Sequence, residues 1–274
     1  YLIVFRHEGV KGIYIAQATG NLLFLILISG YVIRNCRFYF NMQVFKSMSG
    51  YGFPLLLSNV AAASLAVIDR YSLNTLALLK YVAIYSLAYK ISSVLKLVVV
   101  DSIKMAITPM VMQKMNSPDN KRYYSKTLLY SSFVLMLGII ALSLFSYEII
   151  KVISRSAEFW IAFIVVPLLS LSVFFTNMRE TSTYGLIIKK KTGIVGFNVV
   201  ASSILNIILN IILIPRWNIM GAAVATIITQ FFYWLLNYYF SQKEYYIPYE
   251  LKKVTRMLLC GGKLSFAGLL MNDL

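Results

Sequence analysis

One predicted helix carries charged and hydroxyl side chains along one face of an otherwise apolar stretch, residues 82–112. At about 100° per residue, six polar residues fall within an arc of about 80°. A charged side chain inside a membrane is costly unless it faces protein or water. The stripe therefore predicts either the cationic wall of a hydrated translocation cavity or a set of ion pairs that joins neighbouring helices. The six residues are Ser86, Lys90, Ser93, Asp101, Lys104 and Thr108, with Lys96 about 80° or more off the stripe.

Carboxylates near the stripe offer it ion-pair partners. Asp69 and Arg70 precede a short turn into the striped helix, so the two helices are predicted to be antiparallel neighbours. Because helical side chains lean toward the N-terminus, an Asp69–Lys90 ion pair is a reasonable hypothesis. Lys104 has a second possible partner in Asp101, three residues earlier on the same helix.

Polar residues on later apolar stretches have plainer interpretations. Arg179-Glu180 is followed by Thr-Ser-Thr and favours the interfacial end of a helix. Four polar residues on the stretch 193–214 cover an arc of about 120°, and such side chains usually join helices in lipid, with a substrate role as the alternative. They are Asn198, Ser202, Asn206 and Asn210.

The elements that carry these residues are predicted to be membrane-spanning helices. Of the 274 residues, 59% are hydrophobic and 13% charged, whereas about a quarter of a soluble domain is charged. The apolar blocks of about 20 residues match the hydrocarbon core and lack β-barrel alternation. An all-α, polytopic membrane bundle with seven full spans and one partial span is predicted. Spans A to H cover Ile13–Ile33, Gly52–Leu73, Val82–Met112, Thr127–Tyr147, Phe159–Asn177 (or to Ile188), Gly193–Ile214, Ile219–Phe240 and Val254 onwards.

The net charge of +16 follows membrane topology rather than nucleic-acid binding. Most Lys and Arg lie in the A–B, C–D, E–F and G–H loops, and cytoplasmic loops carry such an excess. These four loops are therefore predicted to face the cytoplasm. Their basic residues are Arg34, Arg37, Lys46, Lys114, Lys121, Arg122, Lys126, Lys189, Lys190, Lys191, Lys243, Lys252, Lys253 and Arg256, against Lys80, Lys151, Arg155 and Arg216 in the opposite loops.

Enzymatic chemistry has no support in the sequence. It contains no nucleophile with a nearby base and no glycine-rich phosphate loop, and the loops are too short for a catalytic domain. Cys36, Cys260 and His7 do not form a metal-ligand set, and no cofactor is predicted. Because the chain starts at Tyr1 and stops within an apolar stretch, we expect it to be a piece of a longer protein.

Several short motifs follow one another over residues 50–230. They are Gly52-Phe53-Pro54-Leu55 with Asp69-Arg70-Tyr71 fifteen residues after the proline, the segment Val82–Lys90, Gly185–Ile188 leading into Lys190-Lys191-Thr192, and Asn206, Asn210 and Pro215 before Gly221–Thr226. In this order and spacing they resemble the polysaccharide (O-antigen) flippases of the multidrug/oligosaccharidyl-lipid/polysaccharide exporter superfamily. Ala83 and Asn218 depart from the pattern, which has glycine at both positions.

The resemblance implies a V-shaped exporter fold of two six-helix lobes, often with two further helices. Span A would be the last helix of the N-lobe, spans B to G the C-lobe, and span H the thirteenth helix. The implied domains are 1–50, the end of the N-lobe and a cytoplasmic linker; 51–242, the six-helix C-lobe; and 243–274, a cytoplasmic loop and the start of a further transmembrane helix. Most of the N-lobe would be missing.

The resemblance also implies a transporter, not an enzyme, that flips an undecaprenyl-pyrophosphate-linked oligosaccharide across the bacterial inner membrane by alternating access. Such an oligosaccharide is an O-antigen unit of lipopolysaccharide or another surface polysaccharide. Implied partners are this substrate, membrane lipids and polysaccharide polymerase machinery, without nucleic acid, and protons or sodium would drive transport. Alternatives are a small-molecule antiporter of the multidrug type, which the excess of intramembrane lysine disfavours, and, less favoured, a membrane-embedded polymerase or glycosyltransferase. Substrate-binding candidates are Lys90, Lys104, Arg70, Ser93 and Arg179; coupling or ion-pair candidates are Asp69, Asp101 and Glu180.

Overall fold

The computed structural model describes residues 9–35, 40–113, 119–154 and 156–272, and every regular element within them is a helix. The predicted all-α class is confirmed. His7, Cys36, Arg37, Lys114 and Arg155, used above, lie outside the described residues. The elements are α1 (Gly9–Asn35), α2 (Met42–Leu76), α3 (Leu79–Leu95), a π-helix (Lys96–Asp101), α4 (Ser102–Gln113), α5 (Asn120–Leu144), α6 (Ser146–Ile153), a 3₁₀ helix (Ala157–Ile164), α7 (Val165–Ser182), α8 (Tyr184–Ile188), α9 (Thr192–Glu244) and α10 (Leu251–Asn272).

The chain divides into two compact units, Tyr1–Ser49 and Gly50–Leu274. The first unit contains α1, which covers span A. Large apolar side chains of α1, among them Leu25, Leu27 and Ile33, are exposed. A continuous apolar surface of this size is not stable in water, so α1 must be covered by lipid or protein.

Four helices within the described residues are long and apolar enough to cross a membrane. Their lengths run from 22 to 53 residues, and about 20 residues span the hydrocarbon core. The chain is therefore a multi-pass membrane protein. The four are Tyr14–Asn35, Asn120–Leu144, Ala157–Ile188 and Thr192–Glu244.

The longest helix, α9, contains two of the predicted spans, F and G, because the chain reverses within it at Asn218. Asn218 has φ 47° and ψ −124°, in a left-handed region that favours glycine. Asn206 on the first half donates a hydrogen bond to Thr229 on the second, at 3.3 Å, so the halves run antiparallel. A Cβ on Gly221 would lie 2.3 Å from the carbonyl oxygen of Leu213. The two halves of α9 therefore approach each other closely. The backbone conformation of residue 218 also explains why the family pattern has glycine there, since glycine adopts a positive φ without strain.

Span C is a helix of three successive parts: α3, the π-helix and α4. A π turn contains an extra residue, so its ladder joins residues five apart instead of four. One such insertion rotates everything that follows by about 100° relative to an uninterrupted α-helix. The uniform helical wheel that placed Lys90 on the same stripe as Lys104 is therefore wrong across this segment.

Successive connections in the second unit lie at alternate ends of the bundle. At one end, Lys121 after span C and Lys189 after span E lie 5.2 and 5.8 Å from the centre of the Tyr245 ring, after span G. At the other end, one apolar cluster includes Ala77, after span B, and Ile219, after span F. Three of the four basic loops thus share one end. That this end faces the cytoplasm stays a prediction from the charge distribution.

Candidate functional site

The helices of the second unit surround a cavity of about 710 Å³ that is lined by apolar, polar and charged side chains. α2, the three parts of span C, α7 with α8, and both halves of α9 supply its wall. Large apolar side chains cover much of the outer surface of these helices. The bundle therefore has an apolar outer surface and an internal cavity with charged groups in its wall, as expected of a membrane protein that holds a hydrated cavity. The charged residues of the cavity wall, within the described part of the chain, are Asp69, Lys96, Asp101, Lys104, Arg179 and Glu180.

These charges cancel, because three are cations and three are carboxylates. The predicted cationic wall is wrong for the described lining, since a count of lysines along one helix omits the carboxylates that other helices contribute. The same balance removes the charge argument against a multidrug antiporter.

Glu180 lies at the centre of one charge cluster. Its Oε2 lies 2.8 Å from the Lys104 ammonium nitrogen, and its Oε1 accepts a hydrogen bond from Arg179 Nη2 at 2.6 Å. The Arg179 guanidinium carbon also lies 4.4 Å from the centre of the Tyr233 ring, a cation–π contact. The helix continues past this point through α8 to Ile188, so the interfacial helix end favoured by the sequence is wrong: Arg179 and Glu180 line the cavity.

The second cluster is the ion pair between Lys96 and Asp101. The Lys96 ammonium donates to both Asp101 oxygens, at 3.0 and 2.8 Å. The pair exists because the π-helix brings residues five apart onto one side. The hypothesis that Asp101 pairs with Lys104 is therefore wrong: Asp101 pairs with Lys96, and Lys104 reaches across to Glu180.

Asp69 forms the third polar centre, and its side chain is only 4% exposed. Its Oδ1 accepts a hydrogen bond from Asn210 Nδ2 at 2.8 Å. Its Oδ2 accepts from the Tyr85 hydroxyl at 2.8 Å and lies 2.7 Å from the Thr226 hydroxyl oxygen. The predicted Asp69–Lys90 pair is therefore wrong, because neutral groups from α3 and α9 occupy both oxygens of this carboxylate.

The remaining substrate-binding candidates divide between the cavity and the surface. Ser93 lines the cavity. Lys90 is exposed and does not line it, whereas four of the six residues of the predicted polar stripe do: Ser93, Asp101, Lys104 and Thr108. The Arg70 guanidinium carbon lies 4.7 Å from the centre of the Tyr89 ring, and it is Tyr89 that lines the cavity.

Amide side chains of α9 continue the Asp69 network. Asn210 Nδ2 also donates to Asn206 Oδ1 at 3.1 Å, and Asn206 joins the second half of α9 through Thr229. The predicted role of such amides in joining helices is confirmed for these two asparagines.

Sequence reasoning missed several residues of the site. Tyr85 and Thr226 lie within the family motifs quoted above, so the motifs held a signal for them. Lys96 lies outside these motifs, but it follows Ser93 by three residues and therefore shares an α-helical face with it. Tyr233 and Gln230 read as ordinary residues of an apolar span, yet both line the cavity.

Comparison with known sequences decides the family. Residues 2–162, more than half of the chain, match the sequence profile described as "Polysaccharide biosynthesis protein". The chain belongs to this family. The resemblance to polysaccharide flippases is thereby confirmed. No curated protein sequence matches the chain.

Two solved structures share the fold of this polysaccharide biosynthesis family member. One is described as "Lipid II flippase MurJ, inward closed conformation", with a TM-score of 0.74 and 19% identity over 100% of this chain and 58% of that one. The other is described as "Reverse polarity of binding pocket suggests different function of a MOP superfamily transporter from Pyrococcus furiosus Vc1 (DSM3638)". Its TM-score is 0.55, with 18% identity over 81% of this chain and 52% of that one. The chain thus spans little more than half the length of either structure.

Proposed function

We propose that this chain forms one lobe of a transporter, not an enzyme, that flips a lipid-linked oligosaccharide across the bacterial inner membrane by alternating access. The observation that carries the proposal is a cavity of about 710 Å³, with charged groups in its wall, inside a bundle with an apolar outer surface. A lipid-linked oligosaccharide needs a polar path for its headgroup, while its hydrocarbon tail stays in lipid. The family and the shared fold of two transporters support this assignment.

The domain assignment is part of the same proposal. Residues 51–242 would form the six-helix C-lobe, residues 1–50 the last helix of the N-lobe with its linker, and residues 243–274 a cytoplasmic loop and the start of another span. The division between Ser49 and Gly50 supports the first boundary. The N-lobe of the complete protein would supply the other wall of the translocation path.

The proposed cargo is an oligosaccharide linked to undecaprenyl pyrophosphate, such as an O-antigen unit that polysaccharide polymerase machinery then receives. Its pyrophosphate carries negative charge that hydrocarbon does not admit. Lys104 supports this cargo, because its side chain is 50% exposed and faces the cavity. Arginine and lysine form strong, charge-assisted hydrogen bonds with phosphate oxygens.

Asp69 is the proposed coupling residue. Its carboxylate lies within hydrogen-bonding distance of the Tyr85 hydroxyl, the Asn210 amide and the Thr226 hydroxyl, the last at 2.7 Å. The Asn210 Oδ1 is buried without a hydrogen-bond partner and adds a free acceptor. A carboxylate among hydroxyl and amide oxygens suits a proton or a hard cation such as sodium.

Transport by the full-length protein tests the proposal. In proteoliposomes, a fluorescent undecaprenyl-pyrophosphate oligosaccharide should appear in the opposite leaflet, and Lys104→Gln should slow it about tenfold, the value of one charge-assisted hydrogen bond. Lys80→Gln makes the same chemical change at an exposed position outside the cavity and should leave the rate unchanged. Export of organic cations without lipid flipping would contradict the proposal in favour of an antiporter, and glycan elongation would contradict it in favour of an enzyme.

A further inference from the structure

We infer that the Glu180 carboxylate occupies the anion subsite of the cavity, between Lys104 and Arg179, and that a diphosphate cargo must displace it to bind. The inference rests on the proposed function and adds a built-in competitor to it. Glu180 would set the affinity of the site without touching the bound diphosphate.

The geometry gives Glu180 the place of a ligand. Its two oxygens accept from two different cations, Lys104 at 2.8 Å and Arg179 at 2.6 Å. A phosphate group presents oxygens of the same charge and hydrogen-bonding type to the same donors. Carboxylate and phosphate therefore compete for one pair of cations, and both cannot bind it at full strength.

A second observation also indicates a ligand at this position. Arg179 Nε is buried and has no hydrogen-bond partner, although Nη2 of the same guanidinium binds Glu180. A buried donor left unsatisfied costs about 1–3 kcal/mol, so this N–H is a donor that an anionic ligand would satisfy. The guanidinium presents its donors in a fixed plane that matches the oxygens of a phosphate group.

The two cations differ in mobility, which fits a displacement mechanism. Arg179 is 15% exposed and stacks on Tyr233, so it forms the fixed part of the subsite. Lys104 extends from α4 on a flexible stem and is 50% exposed, so it can leave Glu180 and follow an incoming phosphate. Binding would then break the Lys104–Glu180 bridge between α4 and α7, which links cargo binding to the contact between these helices.

Binding of diphosphates to the purified full-length protein tests this inference. Farnesyl diphosphate and inorganic pyrophosphate serve as probes in calorimetry, the first for a lipid-borne diphosphate and the second for a free one. Glu180→Gln keeps the side-chain shape but removes the charge, and should tighten binding of farnesyl diphosphate about tenfold. Glu148→Gln makes the same change at an exposed glutamate outside the cavity and should leave affinity as in the wild type.

A second variant and a double mutant keep the test decisive. Glu180→Asp retains the charge but withdraws it by one methylene from Lys104, so it should also tighten binding if Glu180→Gln does not fold. Adding Lys104→Gln to Glu180→Gln should abolish the gain. Folded Glu180 variants that bind no tighter than a binding-competent wild type would overturn the displacement inference alone. If neither wild type nor variant binds either probe, the proposed diphosphate cargo fails as well. Tighter binding of pyrophosphate alone would overturn the lipid-borne source.

Discussion

Asp69→Ala should destabilise the lobe strongly, because this nearly inaccessible carboxylate joins α2 to α3 and α9. The donors of Tyr85 and Asn210 lose their acceptor, while the Thr226 hydroxyl keeps the Ala222 carbonyl. At about 1.5 kcal/mol for each buried donor left unpaired, the loss is about 3 kcal/mol. For a unit of this size we expect the melting temperature to fall by roughly 10 °C.

Asp69→Asn should separate stability from coupling. The carboxamide keeps one oxygen for the Tyr85 hydroxyl, and the Thr226 hydroxyl keeps the Ala222 carbonyl. Asn210 can turn its amide so that its unpartnered Oδ1 accepts from the new amide nitrogen, with the loss of its hydrogen bond to Asn206. This rearrangement should limit the loss to about 1 kcal/mol. The amide can neither take up a proton nor attract a cation by charge. We therefore expect a folded protein without gradient-driven transport.

The assay combines thermal unfolding in detergent with transport into proteoliposomes under an imposed proton or sodium gradient. Asp119→Asn, at an exposed carboxylate before α5, is the matched control and should behave as wild type in both measurements. Two results would refute the reasoning: an Asp69→Ala protein that melts within about 1 °C of wild type, or an Asp69→Asn protein that transports at the wild-type rate under the gradient.

Three further predictions test the fold. Gly221→Ala should lower the free energy of unfolding by about 2 kcal/mol, because a Cβ would lie 2.3 Å from a backbone oxygen. Gly193→Ala adds the same methyl group in open space and should not lower the melting temperature. Equal effects of the two substitutions would contradict the tight hairpin. A double-mutant cycle between Lys96 and Asp101 should give a coupling of about 0.5–1 kcal/mol, limited by exposures of 42% and 40%. Zero coupling would contradict a stabilising ion pair between these two residues. The pKa of Glu250 is lowered from 4.5 to about 2 by hydrogen bonds from Lys126 and Lys253. The stabilisation of the protein by ionised Glu250 should thus be complete above pH 4.5 and disappear as the pH falls toward 2. The difference in melting temperature between the wild type and Glu250→Gln should therefore shrink in acid. A difference that stays constant with pH would contradict this prediction.

Helices were predictable from the sequence because burial in lipid imposes a length and an apolar composition on each span. Span F and span G illustrate this, since the structure turns between them at Asn218, where their separation placed a loop. The family motifs also carried real positional information. They contain Asp69, Tyr85, Asn210 and Thr226, which the fold brings into one hydrogen-bonded network.

The pairing of charges was not predictable, for two physical reasons. Hydrophobic periodicity reports which face of a helix is apolar, but it does not report a single π turn, and that turn is what brings Lys96 and Asp101 together. In addition, Lys104 pairs with Glu180, 76 positions further along the chain, and sequence spacing carries no information on contacts of that kind. The second error came from reasoning within one helix about an ion pair that two helices form.

The described wall of the cavity contains equal numbers of cations and carboxylates because an unpaired charge in a protein interior lowers stability. A cation that is to bind a phosphate must exist before the phosphate arrives, and an unpaired ammonium or guanidinium in a low-dielectric interior is strongly destabilising. A carboxylate nearby solves this problem, but it also competes with the cargo. The cluster of Lys104, Arg179 and Glu180 combines stability with access for the cargo. Glu180 neutralises part of the charge of the two cations, and Lys104 still stays half exposed. An excess of lysine on one helix is therefore weak evidence for an anionic cargo. The stronger evidence is a cation cluster whose internal carboxylate can be displaced.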